Sequence, residues 1–205
     1  MLFRSGTTAP TVAFGQGYSL TAIQATSVFA TIANDGLRVA PTIIAGTSDS
    51  AGRYTPASAR SSIRVISKST AQQMRLMMES VVSPDGTAPT AAIAGYRVAG
   101  KTGTAQRVDD SCHCYRGYTA SFIGFAPADK PQYVVSVTIQ DPKGLHWGGL
   151  LAGPVFKKVM SFVLQSQHVA PTAAAPRFYP LTEAELQSRT NVSSAPTSSV
   201  KSKQG

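Results

Sequence analysis

Between residues 119 and 140 the chain commits to a two-residue repeat. Tyr133, Val135, Val137 and Ile139 alternate with Val134, Ser136, Thr138 and Gln140, the signature of a strand with distinct faces. The stretch from Thr119 to Phe125 precedes it across the turn Pro127-Ala128-Asp129-Lys130-Pro131, so the two segments predict an antiparallel hairpin. A third strand is expected from Tyr96 to Arg107, reaching the hairpin through a loop from Val108 to Gly117. Such a sheet must bury a face, and the rest of the chain has to supply the cover.

Three segments with helical spacing do so. Thr21-x-x-Gln24 is a capping-box pattern, followed by Ala25, Val28, Phe29 and Ile32 on one face and closed by Asn34-Asp35-Gly36. A second helix is expected to open with Ser69-x-x-Gln72, to place Met74, Met77, Met78 and Val81 toward the core, and to stop at Ser83-Pro84-Asp85-Gly86. The third is expected to start at Gly153-Pro154, with proline at a first helical position, and to place Phe156, Val159, Met160 and Val163 on one face. Helix, helix, three consecutive strands and helix predict an α+β fold, an antiparallel sheet packed by helices.

The body of this fold is expected over residues 1–170. From Pro171 to Gly205 the composition turns to Pro, Ser, Thr and Ala, too poor in apolar surface to offset chain entropy, and predicts a disordered tail. No apolar run approaches the 18 residues of a membrane helix, and Met1-Leu2-Phe3-Arg4-Ser5 lacks the pattern of a secretory signal. The net charge of +9 comes from cations scattered singly, with Lys157-Lys158 as an adjacent pair. That distribution argues against nucleic acid and is compatible with an anionic polymer or acidic lipid.

The stretch that points to chemistry is Val98-Ala99-Gly100-Lys101-Thr102-Gly103-Thr104-Ala105. Glycine weakens a strand interior and is kept where a ligand or another backbone must come close. Beside such glycines, Lys101 supplies a positive charge, Thr102 and Thr104 supply hydroxyl donors for a carboxylate, and an edge-facing N–H can stabilise an oxyanion. The plain alternative is a glycine-rich bulge with a solvated lysine. Gly95 to Thr102 also spells the phosphate-loop pattern, but that loop must open a helix at Lys-Thr, and no helical pattern follows. Cys112-His113-Cys114 lacks the four ligands zinc wants. Free thiols in a loop are the default there, with a disulfide as the alternative. Asp109-Asp110 reads as a solvated turn, and Trp147 as packing near the last helix.

Taken together, Phe14-Gly15-Gln16-Gly17-Tyr18, Ala30 to Gly36, Gly86-Thr87-Ala88, Ala99 to Gln106, Ala120 to Pro127 and Gly148-Gly149 ahead of Ala152-Gly153-Pro154 resemble the C-terminal half of a class B penicillin-binding transpeptidase domain. The resemblance spans about residues 12–166. It implies a partial penicillin-binding/β-lactamase-like fold and a D,D-transpeptidase that cross-links peptidoglycan in wall synthesis and division. It places Lys101-Thr102-Gly103 as the third active-site motif, with Lys101 poising the network beside the nucleophile. Thr102 and Thr104 would bind the terminal carboxylate of a stem peptide or β-lactam, the Thr104 N–H would be an oxyanion donor, and Gly103 would let substrate lie against the strand.

The same resemblance implies no cofactor and no metal. Cell-division or elongation proteins would be its partners, at the outer face of the cytoplasmic membrane, with an N-terminal anchor that this sequence lacks. The family's Ser-x-x-Lys and Ser-x-Asn motifs do not occur before Lys101; Ser198-Ser199-Val200-Lys201 in the tail is a chance match. Without a serine activated by a base there is no acyl-enzyme. The expectation is therefore a fragment of a transpeptidase whose nucleophile lies elsewhere. A non-catalytic binding or regulatory half-domain of wall assembly is the competing reading.

Overall fold

The structure is a computed structural model that describes residues 11, 16, 19–58, 60–172, 175–176, 178–180, 183 and 187. Phe14, Gly17 and Tyr18 of the first matching block, and nearly all of the expected tail beyond residue 180, lie outside the described residues.

Helix α1 spans Ala22–Ala33. Its capping box forms as the sequence predicts, with the Gln24 amide donating to Thr21 Oγ1 at 3.2 Å and the Thr21 amide donating to Gln24 Oε1 at 2.9 Å. The helix ends in two left-handed residues, Asp35 at φ 51° and Gly36 at φ 82°, and the Gly36 N–H closes on the Thr31 carbonyl. Between Gly36 and Ser67 come four three-residue strands for which the sequence offered no pattern. These are β1 Leu37–Val39 paired with β4 Ser62–Arg64, and β2 Gly46–Ser48 paired with β3 Tyr54–Pro56. Strands this short, with almost every residue exposed, carry no alternation to read.

Helix α2 runs Lys68–Glu79 with Ser67 as its cap, bonded to the Thr70 amide at 3.0 Å. The expected box Ser69-x-x-Gln72 does not form, because Ser67 reaches the free amides first. Met78 lies in the core and Met74 is half-buried, while Met77, expected beside them, is exposed.

The main sheet has the order β5-β6-β7, antiparallel throughout: β5 Ala99–Asp109, β6 Cys114–Ala126 and β7 Tyr133–Gln140. The hairpin and third strand are present, but β5 and β6 run past their expected ends, so most of the anticipated loop 108–117 is strand. Asp109 accounts for the tight tip. It accepts from the Ser111 amide and hydroxyl at 3.0 and 2.5 Å, which holds its carboxyl below the usual carboxylate range. It organises the turn rather than merely being solvated there.

Helix α3 runs Gly148–Ser166, five residues earlier than expected, with Pro154 inside it. Proline at that place has no N–H to offer the Leu150 carbonyl, a loss confined to one rung. Ala152, Phe156, Met160 and Leu164 recur every four residues, all fully buried. Phe156 meets Phe122 of β6 edge to face at 4.7 Å. Burying each such large side chain contributes about 1.5–3 kcal/mol, which fixes α3 on one sheet face. On the other face Ile32 of α1 and Met78 of α2 pack with Ala99 and Phe125.

The chain does not detach at Pro171. The Thr172 amide donates to the Gly95 carbonyl at 2.8 Å, and the Tyr179 amide donates to Ser80 Oγ. Among the described residues no helix is long and apolar enough to cross a membrane.

Candidate active site

Strand β5 pairs with β6 on one side, and among the described residues no strand pairs with its other edge. The Gln106 amide donates at 2.9 Å to Gln16 Oε1, 90 residues away in sequence, so the N–H of Gln106 points away from β6. Backbone groups of a strand alternate sides, so the N–H groups of Thr104 and Thr102 face the same open edge. Lys101 folds its side chain around that edge. Its Nζ donates to the Thr102 carbonyl at 3.0 Å and lies 3.4 Å from Thr102 Oγ1.

The strand alternation separates the side chains. Lys101 and Gly103 share a sheet face with Ile123 and Ser121, their cross-strand partners on β6. This face and the N-terminal half of α1 bound a cleft of about 910 Å³, lined in part by Leu20, Val28, Phe29, Lys101, Gly103 and Ser121. Val28, expected in the core, is 53% exposed and forms cleft wall instead. The residue Lys101 is exposed, yet protein atoms crowd the stem and head enough that desolvation lowers the pKa of its amine.

Thr102 and Thr104 stand on the opposite face, toward the start of α3. Thr104 Oγ1 accepts the Gly148 amide at 3.1 Å, so its own proton is available to an acceptor outside. Thr87 Oγ1 lies 3.3 Å from Thr102 Oγ1. Thr87 and Gly148 were part of matching blocks but had no role in the sequence reading; only the packing of α3 against β5 shows what they touch.

Gly148 and Gly149 permit that packing. A Cβ on Gly148 would collide with the Gly103 and Ser121 carbonyl oxygens, and one on Gly149 with the Thr87 carbonyl. Backbone cannot swing away as a side chain can. Gly149→Ala is therefore expected to destabilise by about 1–3 kcal/mol and to displace Thr87 from Thr102. Thermal melting checks the first effect; an unchanged melting temperature would show that the helix start shifts freely.

The phosphate-loop pattern ends here, since Lys101 and Thr102 lie within a strand that continues to Asp109. Trp147 stands at the start of the last helix, as expected, but on its outside. Because α3 begins at Gly148, Trp147 is left outside as its cap residue, 56% exposed, at 4.9 Å from the His146 ring, which stacks on Tyr118 at 4.0 Å. Cys112 and Cys114 are joined in a disulfide, not free.

The sequence profile of the penicillin-binding protein transpeptidase domain matches residues 4–161. The chain belongs to the penicillin-binding protein transpeptidase family. Penicillin-binding protein PbpB of Mycolicibacterium smegmatis is 41% identical over 175 residues, 80% of this chain and 27% of that protein. Stage V sporulation protein D of Bacillus subtilis is 41% identical over 164 residues, 78% of this chain and 25% of that one. The apo crystal structure of penicillin-binding protein 3 from Mycobacterium tuberculosis superposes with a TM-score of 0.76 at 38% identity, covering 87% of this chain and 42% of that chain. The mixture of helices and antiparallel sheet is thus the penicillin-binding transpeptidase fold. The chain spans about a quarter of the length of the curated relatives it matches.

Proposed function

We propose that this chain forms the Lys-Thr-Gly wall of a serine D,D-transpeptidase active site, working on peptidoglycan stem peptides outside the cytoplasmic membrane. The observation that carries the reading is the free edge of β5, where the Lys101 amine reaches the carbonyl and hydroxyl of Thr102 beside a cleft lined by Lys101, Thr102 and Gly103. Penicillin-binding protein 3 of Mycobacterium tuberculosis has been crystallised with aztreonam and with ampicillin, which supports β-lactams as ligands of the same wall.

In this reading a serine outside the 205 residues attacks the carbonyl of the penultimate D-Ala. The negative charge that develops on the carbonyl oxygen is met by the preorganised Thr104 N–H. Thr102 and Thr104 hold the terminal carboxylate, and the Lys101 amine stabilises and relays charge beside the serine, aided by a pKa that desolvation has lowered. The terminal D-Ala leaves as an amine. The acyl group then passes from the serine to the amine of a neighbouring stem, and the serine recovers its proton.

The test is to treat cells with a fluorescent penicillin, capture with an antibody against this chain, and read size and label on a denaturing gel. The expected result is a labelled band much larger than 21.5 kDa. An unlabelled band of this size would favour a non-catalytic wall-assembly protein instead.

A further inference from the structure

Cys112 and Cys114 take no part in the cleft chemistry, yet they are exposed and bonded to each other at the tip of the β5–β6 hairpin. A bridge spanning one intervening residue restrains the unfolded chain much less than one closing a long loop, so its effect is local. It holds the two Cα atoms 5.2 Å apart, where an extended intervening residue would set them at about 6.6–7.2 Å. His113 between them lies in the left-handed region, at φ 51°, which histidine enters more readily than most residues and which suits the tight tip of the hairpin.

The tip reaches the cleft. Val108 and Tyr115 are cross-strand partners just below it, 66% and 60% exposed, and both line the cleft. Asp109, paired with Cys114 in the same ladder, also holds Ser111 and lies 3.5 Å from Arg116. A change of backbone at His113 is therefore passed within two residues to side chains on the cleft rim. Exposed disulfides are the ones that thiols can attack, and they are the labile members of their class.

We propose that Cys112 and Cys114 form a reversible thiol–disulfide exchange site, open to thiol reductants, whose state sets the conformation of the cleft rim. A reductant thiolate attacks one sulfur and forms a mixed disulfide, and the other cysteine leaves as a thiolate that takes up a proton. A second reductant thiolate then attacks the mixed disulfide and releases the remaining cysteine, which is protonated in turn. Two electrons and two protons enter the protein, and the reductant leaves as its disulfide. The reduced tip is no longer tied at a Cα separation of 5.2 Å.

The test takes the folded 205-residue chain through graded mixtures of reduced and oxidised glutathione at neutral pH. Free thiols are then blocked with N-ethylmaleimide and counted by mass, and amide hydrogen exchange is followed in both states. The expected result is that both thiols appear and disappear reversibly without denaturant. Exchange across residues 107–116 should quicken about tenfold or more on reduction while that of α3 stays unchanged. The double variant Cys112→Ser, Cys114→Ser should exchange like the reduced protein; if it does not fold, the two measurements on the unaltered chain decide. A pair that stays oxidised until the protein is unfolded, or a reduced tip that exchanges like the oxidised one, would overturn the proposal. Acylation is not read in any arm, so the result stands apart from the transpeptidase reading.

Discussion

Lys101→Ala, made in the protein that joins this wall to its serine, is expected to slow penicillin acylation by about 10²–10⁴-fold, the usual contribution of a positioned proton-transfer group. The loss should fall on the acylation rate rather than on the fold. Lys101 is exposed, and among the described residues its amine bonds to its own strand neighbour, Thr102; substitutions at such surface positions change stability by about 0.5 kcal/mol or less. The measurement is the second-order rate of labelling by a fluorescent penicillin, with thermal melting alongside. An unaltered rate would return Lys101 to the plain role of a solvated lysine on a glycine-rich strand and remove the main support for the proposed chemistry.

Arg97→Ala should produce a large stability loss. Glu79 is 1% exposed at the end of α2, and Arg97 grips both its oxygens, through Nε at 2.9 Å and Nη2 at 2.6 Å. That grip raises the arginine's pKa even against the opposing effect of its own burial. Removing the guanidinium leaves a carboxylate in the interior with its counter-charge gone, a change that costs about 3–5 kcal/mol. For a domain of this size that corresponds to roughly 6–20 °C in melting temperature. Replacing both residues with apolar side chains of similar volume should restore much of the loss, because the desolvation penalty disappears with the charges. A single variant that melts with the parent would mean that water reaches Glu79. The pair ties α2 to the segment leading into β5, four residues before Lys101, so its loss should also loosen the start of β5.

The elements that could be read in advance are those whose local pattern and tertiary role agree. The capping box at Thr21 and Gln24 formed because both partners lie within three residues and need nothing from the rest of the chain. The alternation of β7 and the spacing of Phe156 and Met160 were legible because each records a face that must be buried. The errors arose where a neighbour outside the local window decided. Ser67 captured the start of α2 ahead of Ser69, and α3 began at Gly148 because two glycines let its first turn lie against the backbones of β5, β6 and the Thr87 segment. The strands between Leu37 and Arg64 are too short and too exposed to mark a period.

The antiparallel hairpin, the three helices and the α+β class follow from sequence alone, and Lys101, Thr102, Gly103 and Thr104 stand out in it as candidates for the proposed chemistry. Residue type and spacing carry that much, because strand and helix periods and the chemistry of a lysine among glycines are local properties. Only the tertiary structure decided that Thr104 receives the Gly148 amide, that Thr87 meets Thr102, that Glu79 is buried beneath Arg97, and that the cysteines are bonded above the cleft. Apart from the cysteines, these are contacts between residues 15 to 44 positions apart. They exist because packing α2 and α3 against one sheet brings distant segments together, and a polar group buried in doing so, such as the Glu79 carboxylate, must find a partner or cost the fold its stability.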